Sequence, residues 1–361
     1  MNTPNQPSHG TAGRWQWPLL MACLCLASAV QAAPVEPIGA ALERPALRAV
    51  NPAHSYLLGI AQAGQRLVAV GERGLIALSD DQGATWRQAA SPVSVTLTAV
   101  RFADAEHGYA VGHGGSVLVS EDGGTHWTAS LDGRRAAQTL LAAAQAQGNP
   151  RAIAEAQRLV EDGPDKPFLD LWLKSTQEAY VVGAYGLALR TDDGGKSWQP
   201  WLQRSINPGG LHLNAIRSRG QRVVIAGEQG LVLISEDGGA TFSPVETPYS
   251  GSFFTLELPA DGSIVLAGLR GNALRSEDGG ASWSPLASPV EASITASALQ
   301  ADGTPLFVNQ AGMLLREQGG RLLPSNRQPL PSLNNLLPTA DADIVLVSGA
   351  GVSVLKAGDV K

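Results

Sequence analysis

The sequence of 361 residues has little cysteine and no excess of basic residues. Its two cysteines, Cys23 and Cys25, lie near the start, so residues 33–361 contain none. Disulfide bonds therefore cannot hold this long part of the chain together, and a buried apolar core must do so. The 26 Lys plus Arg are outnumbered by 32 Asp plus Glu, for a formal charge of −6. This balance argues against nucleic acid as a partner, because binding to phosphates requires a basic surface.

Long apolar runs are also scarce. The one at residues 17–30 follows a polar stretch whose only charge is Arg14 and precedes the small residues Val30-Gln31-Ala32. This pattern predicts a signal peptide over residues 1–32, and so an exported protein of the periplasm or the lumenal side of a membrane. The run is shorter than the about 20 residues of a membrane-spanning helix, and no other stretch approaches that length. Lipoprotein anchoring at Cys23 is the alternative to simple cleavage before Ala33.

Motifs of catalysis and metal binding are missing as well. The six histidines show no metal-ligand spacing. The sequence contains no nucleophile elbow, no zinc-binding His-Glu-x-x-His and no phosphate loop. We therefore expect no catalytic residue, no metal and no cofactor.

What the sequence does have is a repeat. The segment Ser-Asp-Asp-Gln-Gly-Ala-Thr-Trp at 79–86 recurs in related form at 120–127, 191–198, 235–242 and 276–283. Before each copy, a Gly-x-x-Gly turn separates two apolar runs. Two later units, at 309–312 and 348–351, keep a similar turn and lack the box. Seven units with four short strands each predict an all-β fold, a seven-bladed β-propeller over residues 33–361.

The recurring box is an Asp-box, and we interpret its aspartates as structural. An aspartate can accept backbone N–H bonds within a tight hairpin, the following glycine permits a positive φ, and the final Trp or Phe buries apolar area against a neighbouring blade. The central aspartates are Asp81, Asp122, Asp193, Asp237 and Asp278.

Two groups of side chains are candidate binding sites. The Gly-x-x-Gly turns should share one face with the connections between blades, because successive antiparallel strands alternate in direction. The candidate partner-binding residues on that face are Arg73, His113, Tyr185, Glu228 and Arg270. The alternative is a basic group near the ends of the first strands, on the opposite face beside the channel: Arg101, Lys174 and Arg217.

The repeat is irregular in two places, between the second and third units and at the last unit. Between the second and third units, about 132–165 reads as an inserted helical hairpin, since Arg134–Gln147 is rich in helix formers and Asn149-Pro150 restarts a helix. The insertion is either a tolerated surface addition or a partner-binding arm. The last unit ends without a fourth strand, and Ile38–Val50 is expected to supply it and so close the ring.

Taken together, these units resemble the photosystem II assembly and stability factor family over about residues 50–356. The resemblance implies a non-enzymatic assembly factor that binds a newly made membrane subunit through an arginine-rich surface. We therefore expect a monomeric binding module for a membrane protein or its periplasmic or lumenal segment. The alternative is a carbohydrate-active enzyme of the sialidase-like Asp-box type, although the early Arg-Ile-Pro motif of sialidases is absent.

Overall fold

The computed structural model describes residues 40–328 and 330–360. The expected signal peptide, with Cys23 and the cleavage before Ala33, lies outside these residues. Seven antiparallel sheets follow one another along the chain, each formed by consecutive strands, and the first strand of each contacts the first strand of the next. The predicted seven-bladed propeller is confirmed. Within the described residues, no helix combines the length and apolarity needed to cross a membrane.

Six blades have four strands and the seventh has three. Blades 1 and 2 comprise β1 (Leu57–Ala63), β2 (Arg66–Gly71), β3 (Ile76–Ser79), β4 (Arg87–Gln88), β5 (Leu97–Phe102), β6 (Gly108–Gly112), β7 (Ser116–Ser120) and β8 (Thr128–Leu131). Blades 3 and 4 comprise β9 (Phe168–Leu173), β10 (Ala179–Gly183), β11 (Ala188–Thr191), β12 (Gln199–Pro200), β13 (Leu213–Arg219), β14 (Arg222–Gly227), β15 (Val232–Ser235) and β16 (Ser243–Val245). Blades 5 to 7 comprise β17 (Phe253–Glu257), β18 (Ile264–Gly268), β19 (Ala273–Ser276), β20 (Ser284–Pro285), β21 (Ile294–Leu299), β22 (Pro305–Asn309), β23 (Leu314–Gln318), β24 (Arg321–Pro324), β25 (Leu333–Pro338), β26 (Ile344–Ser348) and β27 (Gly351–Leu355).

The core lies between the blades. The second strand of a blade is buried along its whole length, as in β6, β10 and β18, because each of its faces packs on a neighbouring blade. Such strands read as short continuous apolar runs in the sequence. In the blades that have an Asp-box, its aromatic residue packs into the interface with the preceding blade: Trp127 joins the cluster of blades 1 and 2, and Trp198 that of blades 2 and 3.

The innermost strands are joined by a recurring side-chain hydrogen bond. A polar residue at the second position of the first strand donates to the carbonyl that opens the first strand of the next blade. The bonds are Thr98 Oγ1 to Phe168 O at 2.7 Å, Asn214 Nδ2 to Phe253 O at 2.8 Å, Thr295 Oγ1 to Leu333 O at 2.7 Å and Asn334 Nδ2 to Leu57 O at 2.7 Å. The last of these joins blade 7 to blade 1.

The expectation that Ile38–Val50 completes the last blade is wrong for the part that the structure describes. Residues 40–50 form no strand. They run beside blade 1 instead, where Ala49 N donates to Gln88 Oε1 at 2.7 Å and Ser94 N donates to Ala41 O at 2.8 Å. Pro45 gives a physical reason, since a proline cannot donate to a strand ladder. The ring closes through apolar packing of blades 7 and 1 and through side-chain hydrogen bonds from Asn334 and Asn335.

The insertion between blades 2 and 3 contains two helices, α1 (Gly133–Gln147) and α2 (Pro150–Asp162). The Asp132 side chain caps α1 by accepting from Arg135 N, and Gly148 ends it with a φ of 66°. Asn149 caps α2 by accepting from two backbone amides of its first turn. Both starts follow the usual preference for Asp or Asn at the N-cap.

Candidate functional site

The Gly-x-x-Gly turns and the connections between blades are joined by hydrogen bonds on one face. We number the turn residues from the one that follows the first glycine, so Glu72 is the first and Arg73 the second residue of the turn in blade 1. The first residue of each turn donates its backbone N–H to the connection that leads into its own blade, as Glu72 N does to Tyr56 O at 3.1 Å. Two of the glycines are required by close approach: a Cβ on Gly71 would lie 2.0 Å from Tyr56 O, and one on Gly74 would lie 2.0 Å from Val93 O. We call this side, with α1 and α2, the insertion face.

The five candidate residues of the insertion face occupy two different turn positions. His113 and Glu228 are the first residues of their turns. Arg73, Tyr185 and Arg270 are the second residues, with left-handed φ values of 57°, 57° and 56°. All but the half-buried Glu228 are exposed.

A fourth second-position residue was not predicted from the sequence. Gln229 has a φ of 52° and an exposed side chain. In blade 2 the same position is Gly114, on which the Leu42 side chain packs so closely that a Cβ would lie 2.8 Å from Leu42 Cδ2. The position is thus glycine where the chain itself covers the turn.

Tyr185 joins the insertion to blade 4. The ammonium of Lys166 lies 5.4 Å from the centroid of the Tyr185 ring, and the His212 ring meets that ring edge-on at 5.0 Å. His212 Nδ1 in turn lies 2.6 Å from Glu228 Oε1. Burial alone would raise the pKa of Glu228, but hydrogen bonds from the backbone and ring of His212 hold it below its usual value. Of the candidate residues, Tyr185 and Glu228 are therefore brought together through His212.

A cleft of about 790 Å³ lies between the two helices and blade 3. Alanines of α1 and α2 line one side, including Ala143 and Ala152, and aromatic rings of Tyr185 and Trp201 line the other. Arg158, which is exposed, and Lys166, whose side chain is largely buried, also line it. No motif in the sequence pointed to this cleft, because it arises from the way that the helices lie over the blade.

The second candidate group does not form as predicted. Arg101 and Arg217 meet in the wall of the central channel over Asp170, with Arg101 Nη2 at 3.2 Å from Oδ1 and Arg217 Nη1 at 2.5 Å from Oδ2. Lys174 takes a separate partner, Glu178, at 2.9 Å. The expected basic surface is thus an ion-paired channel wall plus one exposed lysine. The reason is that Asp170 on β9 lies between the two arginine-bearing strands, β5 and β13.

The channel network continues to Glu257. Its Oε1 accepts from Ser297 Oγ at 2.9 Å and lies 3.7 Å from Arg217 Nε. Burial would raise the pKa of Asp170, but the two guanidinium groups outweigh it and the pKa is lowered. Burial prevails at Glu257 and raises its pKa, because Arg217 lies farther from it. Neither acid was predicted, although an aspartate inside the apolar run Phe168–Leu173 was a usable signal of a buried pairing.

The Asp-boxes have the expected local chemistry. In the third box, Asp193 Oδ1 accepts from Thr191 Oγ1 at 2.7 Å and from Ser197 N at 2.9 Å, and Oδ2 accepts from Ser197 Oγ at 2.6 Å. These bonds lower the pKa of Asp193 to about 2. Thr191 Oγ1 also accepts from Gly195 N at 2.9 Å. The box residues bond to one another, as a structural turn requires.

No group of three or more His, Cys, Asp or Glu in the described part of the chain could hold a metal ion. This finding applies to residues 40–328 and 330–360.

Comparison with known proteins identifies one family. The family model described as photosynthesis system II assembly factor YCF48 matches residues 78–156 and 149–315. A solved structure of YCF48 bound to D1 peptide is 17% identical, with a TM-score of 0.60 over 86% of this chain and 98% of that one. YCF48 from Cyanidioschyzon merolae is 14% identical, with a TM-score of 0.62 over 85% of this chain and 97% of that one.

A hydrolase has the same architecture. The GH74 xyloglucanase from Xanthomonas campestris is 14% identical, with a TM-score of 0.60 over 88% of this chain and 54% of the enzyme. At such identities the structural matches show the propeller fold alone. Among curated proteins, none matches the sequence significantly.

Proposed function

Because the chain belongs to the photosynthesis system II assembly factor YCF48 family, we propose that it is a non-enzymatic binding and assembly factor. Its partner is a membrane protein or the segment that such a protein exposes on the periplasmic or lumenal side. The signal-peptide pattern of residues 1–32 supports export to that compartment. The solved YCF48 bound to D1 peptide supports a polypeptide as the kind of partner.

The observation that carries the proposal is the composition of the insertion face. Arg73, Tyr185, Gln229 and Arg270 extend exposed side chains from the Gly-x-x-Gly turns, on the face that also carries the helical insertion. Loops and insertions held by a rigid scaffold are common places for binding residues. Exposed charges there also increase the rate of encounter with a charged partner.

The state of the channel acids argues against glycoside hydrolysis. That reaction uses two carboxyl groups, one as acid and one as base or nucleophile. Asp170 is bound by two arginines and by Ile216 N, and Glu257 accepts from Ser297. An aspartate held this way is satisfied by the fold, so the pair is better explained as a structural network.

Affinity capture tests the proposal. Residues 33–361 serve as bait on detergent-solubilised membranes of the source organism, and we expect one defined membrane protein to be enriched. The double variant Arg73→Glu/Arg270→Glu should weaken the capture, and more so at low salt. The control, Lys174→Glu, reverses one exposed cation outside the turns and should leave capture unchanged.

Two results would contradict the proposal. One is that no membrane protein is enriched by the wild-type bait. The other is hydrolysis of a sialoside or β-glucan panel by the purified protein, which would favour the carbohydrate-active alternative.

A further inference from the structure

The cleft between the helical insertion and blade 3 has the features of a peptide site. We propose that it binds an extended segment of a partner polypeptide, taking one large apolar or aromatic side chain that is followed by an acidic residue. This inference rests on the proposed function and names the place where the insertion contributes to it.

The backbone at Tyr185 is unfavourable for a tyrosine. A left-handed conformation is unfavourable for an L-residue, whereas glycine adopts it without steric cost. The equivalent position of the preceding blade is Gly114, so glycine is compatible with this turn. Tyr185 is 58% exposed, and hence the propeller core does not depend on its side chain. The same conformation recurs at Arg73, Gln229 and Arg270, so the turn imposes it, and what distinguishes Tyr185 is an aromatic ring that lines the cleft.

The lining of the cleft leaves room for a side chain. Where α1 and α2 face blade 3, Ala143, Ala144, Ala152 and Ala156 present methyl groups only. Leu140 and Leu159 pack against the apolar cluster between blades 2 and 3 and hold the helices in place. The floor across from the alanines includes Trp201. The cleft of about 790 Å³ also has polar lining residues, among them Gln147 and Gln203, but its alanine, leucine and aromatic side chains form an apolar part that suits an apolar or aromatic side chain.

The charges of the cleft lining indicate what accompanies the apolar side chain. Asp162 is paired with Lys166 at 3.2 Å, and Glu155 with Arg151 at 3.1 Å. Arg158 lines the same cleft, is exposed and has no acidic partner among the described residues. One uncompensated guanidinium beside an apolar cleft is complementary to a carboxylate on the ligand, which it can bind through two parallel hydrogen bonds. The occupant is therefore an apolar residue next to an acid.

Fluorescein-labelled octapeptides of glycine and serine, carrying phenylalanine followed by aspartate, test the site directly with residues 33–361. We expect saturable binding by fluorescence anisotropy, and at least about tenfold weaker binding when the phenylalanine is replaced by alanine, because buried aromatic side chains dominate peptide recognition. Replacing the aspartate by lysine should weaken binding similarly. Ala143→Phe should abolish it by filling the cleft, and Arg158→Glu should abolish the preference for aspartate over lysine.

Ala142→Phe is the matched control, because Ala142 is exposed on the same helix and does not line the cleft. It should bind as the wild type does. If Ala143→Phe loses its normal melting temperature, Ala152→Phe fills the cleft from α2 and replaces it. Equal binding by both cleft-filling variants and the control would overturn the inference, as would a panel in which no peptide binds. So would sedimentation that shows a dimer lost in Ala143→Phe, which would make the occupant a second copy.

The two proposals fail in different ways. Membrane-protein capture that survives Ala143→Phe would leave the proposed function intact and reject the cleft as its site. Peptide binding without any capture from membranes would keep the cleft as a peptide site and reject the assembly role.

Discussion

Asn334 in the seventh blade donates from its side-chain amide to the carbonyl oxygen of Leu57 in the first, at 2.7 Å. These residues lie at opposite ends of the chain, and the same bond joins three pairs of blades that are neighbours in sequence. With no fourth strand from residues 40–50 in blade 7, this bond, a longer one from Asn335 Nδ2 to Leu58 O at 3.3 Å and the apolar packing beside them close the ring. Closure in this protein therefore depends on side chains more than on a shared sheet.

Asn334→Leu should lower the free energy of unfolding by about 1–2 kcal/mol, because it removes one hydrogen bond and leaves a buried carbonyl unpaired. Chemical denaturation measures the change. Hydrogen exchange should rise in β1 and β25 together, the two strands that meet at the seam between the last and first blades. Thr295→Val removes the equivalent bond between blades 6 and 7 and should leave exchange in β1 unchanged. Identical exchange patterns in the two variants would show that Asn334 has no special role in closure.

Removing residues 33–50 should leave the seventh blade as protected as before, since residues 40–50 add no strand to it. The effect is expected at α1, because the deletion removes Glu43, whose Oε1 lies 2.9 Å from Arg134 Nη1, and Leu42, which packs on Gly114. Hydrogen exchange should therefore increase in α1 and in the turn of blade 2. Arg134→Ala in the full-length protein removes the ion pair with Glu43 but keeps the packing of Leu42, so it shows how much of the effect is due to the ion pair alone. Increased exchange in β27 instead would restore the idea of strand-based closure.

Acid should unfold the protein between about pH 4 and pH 2. The aspartates of all five boxes have pKa values below their usual value, and those of Asp193 and Asp278 are lowered to about 2, first by hydrogen bonds from Ser197 and Ser282. A carboxyl whose pKa is lowered by folding stabilises the fold above its unfolded pKa, and this contribution is lost as the pH falls through the folded value.

Asp193→Asn should therefore lower the melting temperature at neutral pH and reduce the steepness of its fall in acid. Circular dichroism against temperature, at a series of pH values, measures both effects. Asp192→Asn changes the adjacent exposed aspartate, for which no equivalent set of turn bonds exists, and serves as the control. A melting curve that is independent of pH in wild type would contradict the role assigned to the boxes.

Glu257→Gln and Asp170→Asn should have opposite effects, although both acids belong to one network. Folding raises the pKa of Glu257, so the wild-type fold is penalised as the pH rises above the unfolded value, and the glutamine variant should be the more stable at about pH 7. This advantage should shrink toward about pH 4. Asp170→Asn leaves Arg217 and Arg101 without their shared carboxylate and should cost about 3–5 kcal/mol. Chemical denaturation at the two pH values measures the free energy of unfolding of each variant. Equal destabilisation by both variants would contradict the opposite pKa shifts of Glu257 and Asp170.

Much of the fold could be predicted from the sequence, for local reasons. Each box is a short segment whose Ser or Thr, Asp and Gly bond to one another, so its geometry is contained in eight residues. The family resemblance rested on these units and is confirmed by the family match. Strand β5 (Leu97–Phe102) is encoded in the same local way, by an apolar run between flanking turns.

The sites were harder to predict because they depend on contacts between blades. Arg101 and Arg217 were recognised as neighbours in equivalent positions, but the carboxylate that joins them, Asp170, lies on the strand between. The prediction for Ile38–Val50 failed for a similar reason. The sequence shows that the last unit lacks a fourth strand, but it does not show which contacts between blades 7 and 1 close the ring. Whether the insertion face binds the partner stays a prediction.

The sequence by itself determined the seven-fold repeat, the turns and the helices of the insertion, since these follow from residues close together in the chain. The tertiary structure alone decided what lies between repeats: the ion pairs of the channel, the course of residues 40–50 and the cleft beside Tyr185. The physical reason is that a propeller buries its apolar area between neighbouring blades. The side chains that meet there are separated by about one repeat in sequence, or, at the seam of Asn334 and Leu57, by nearly the whole chain.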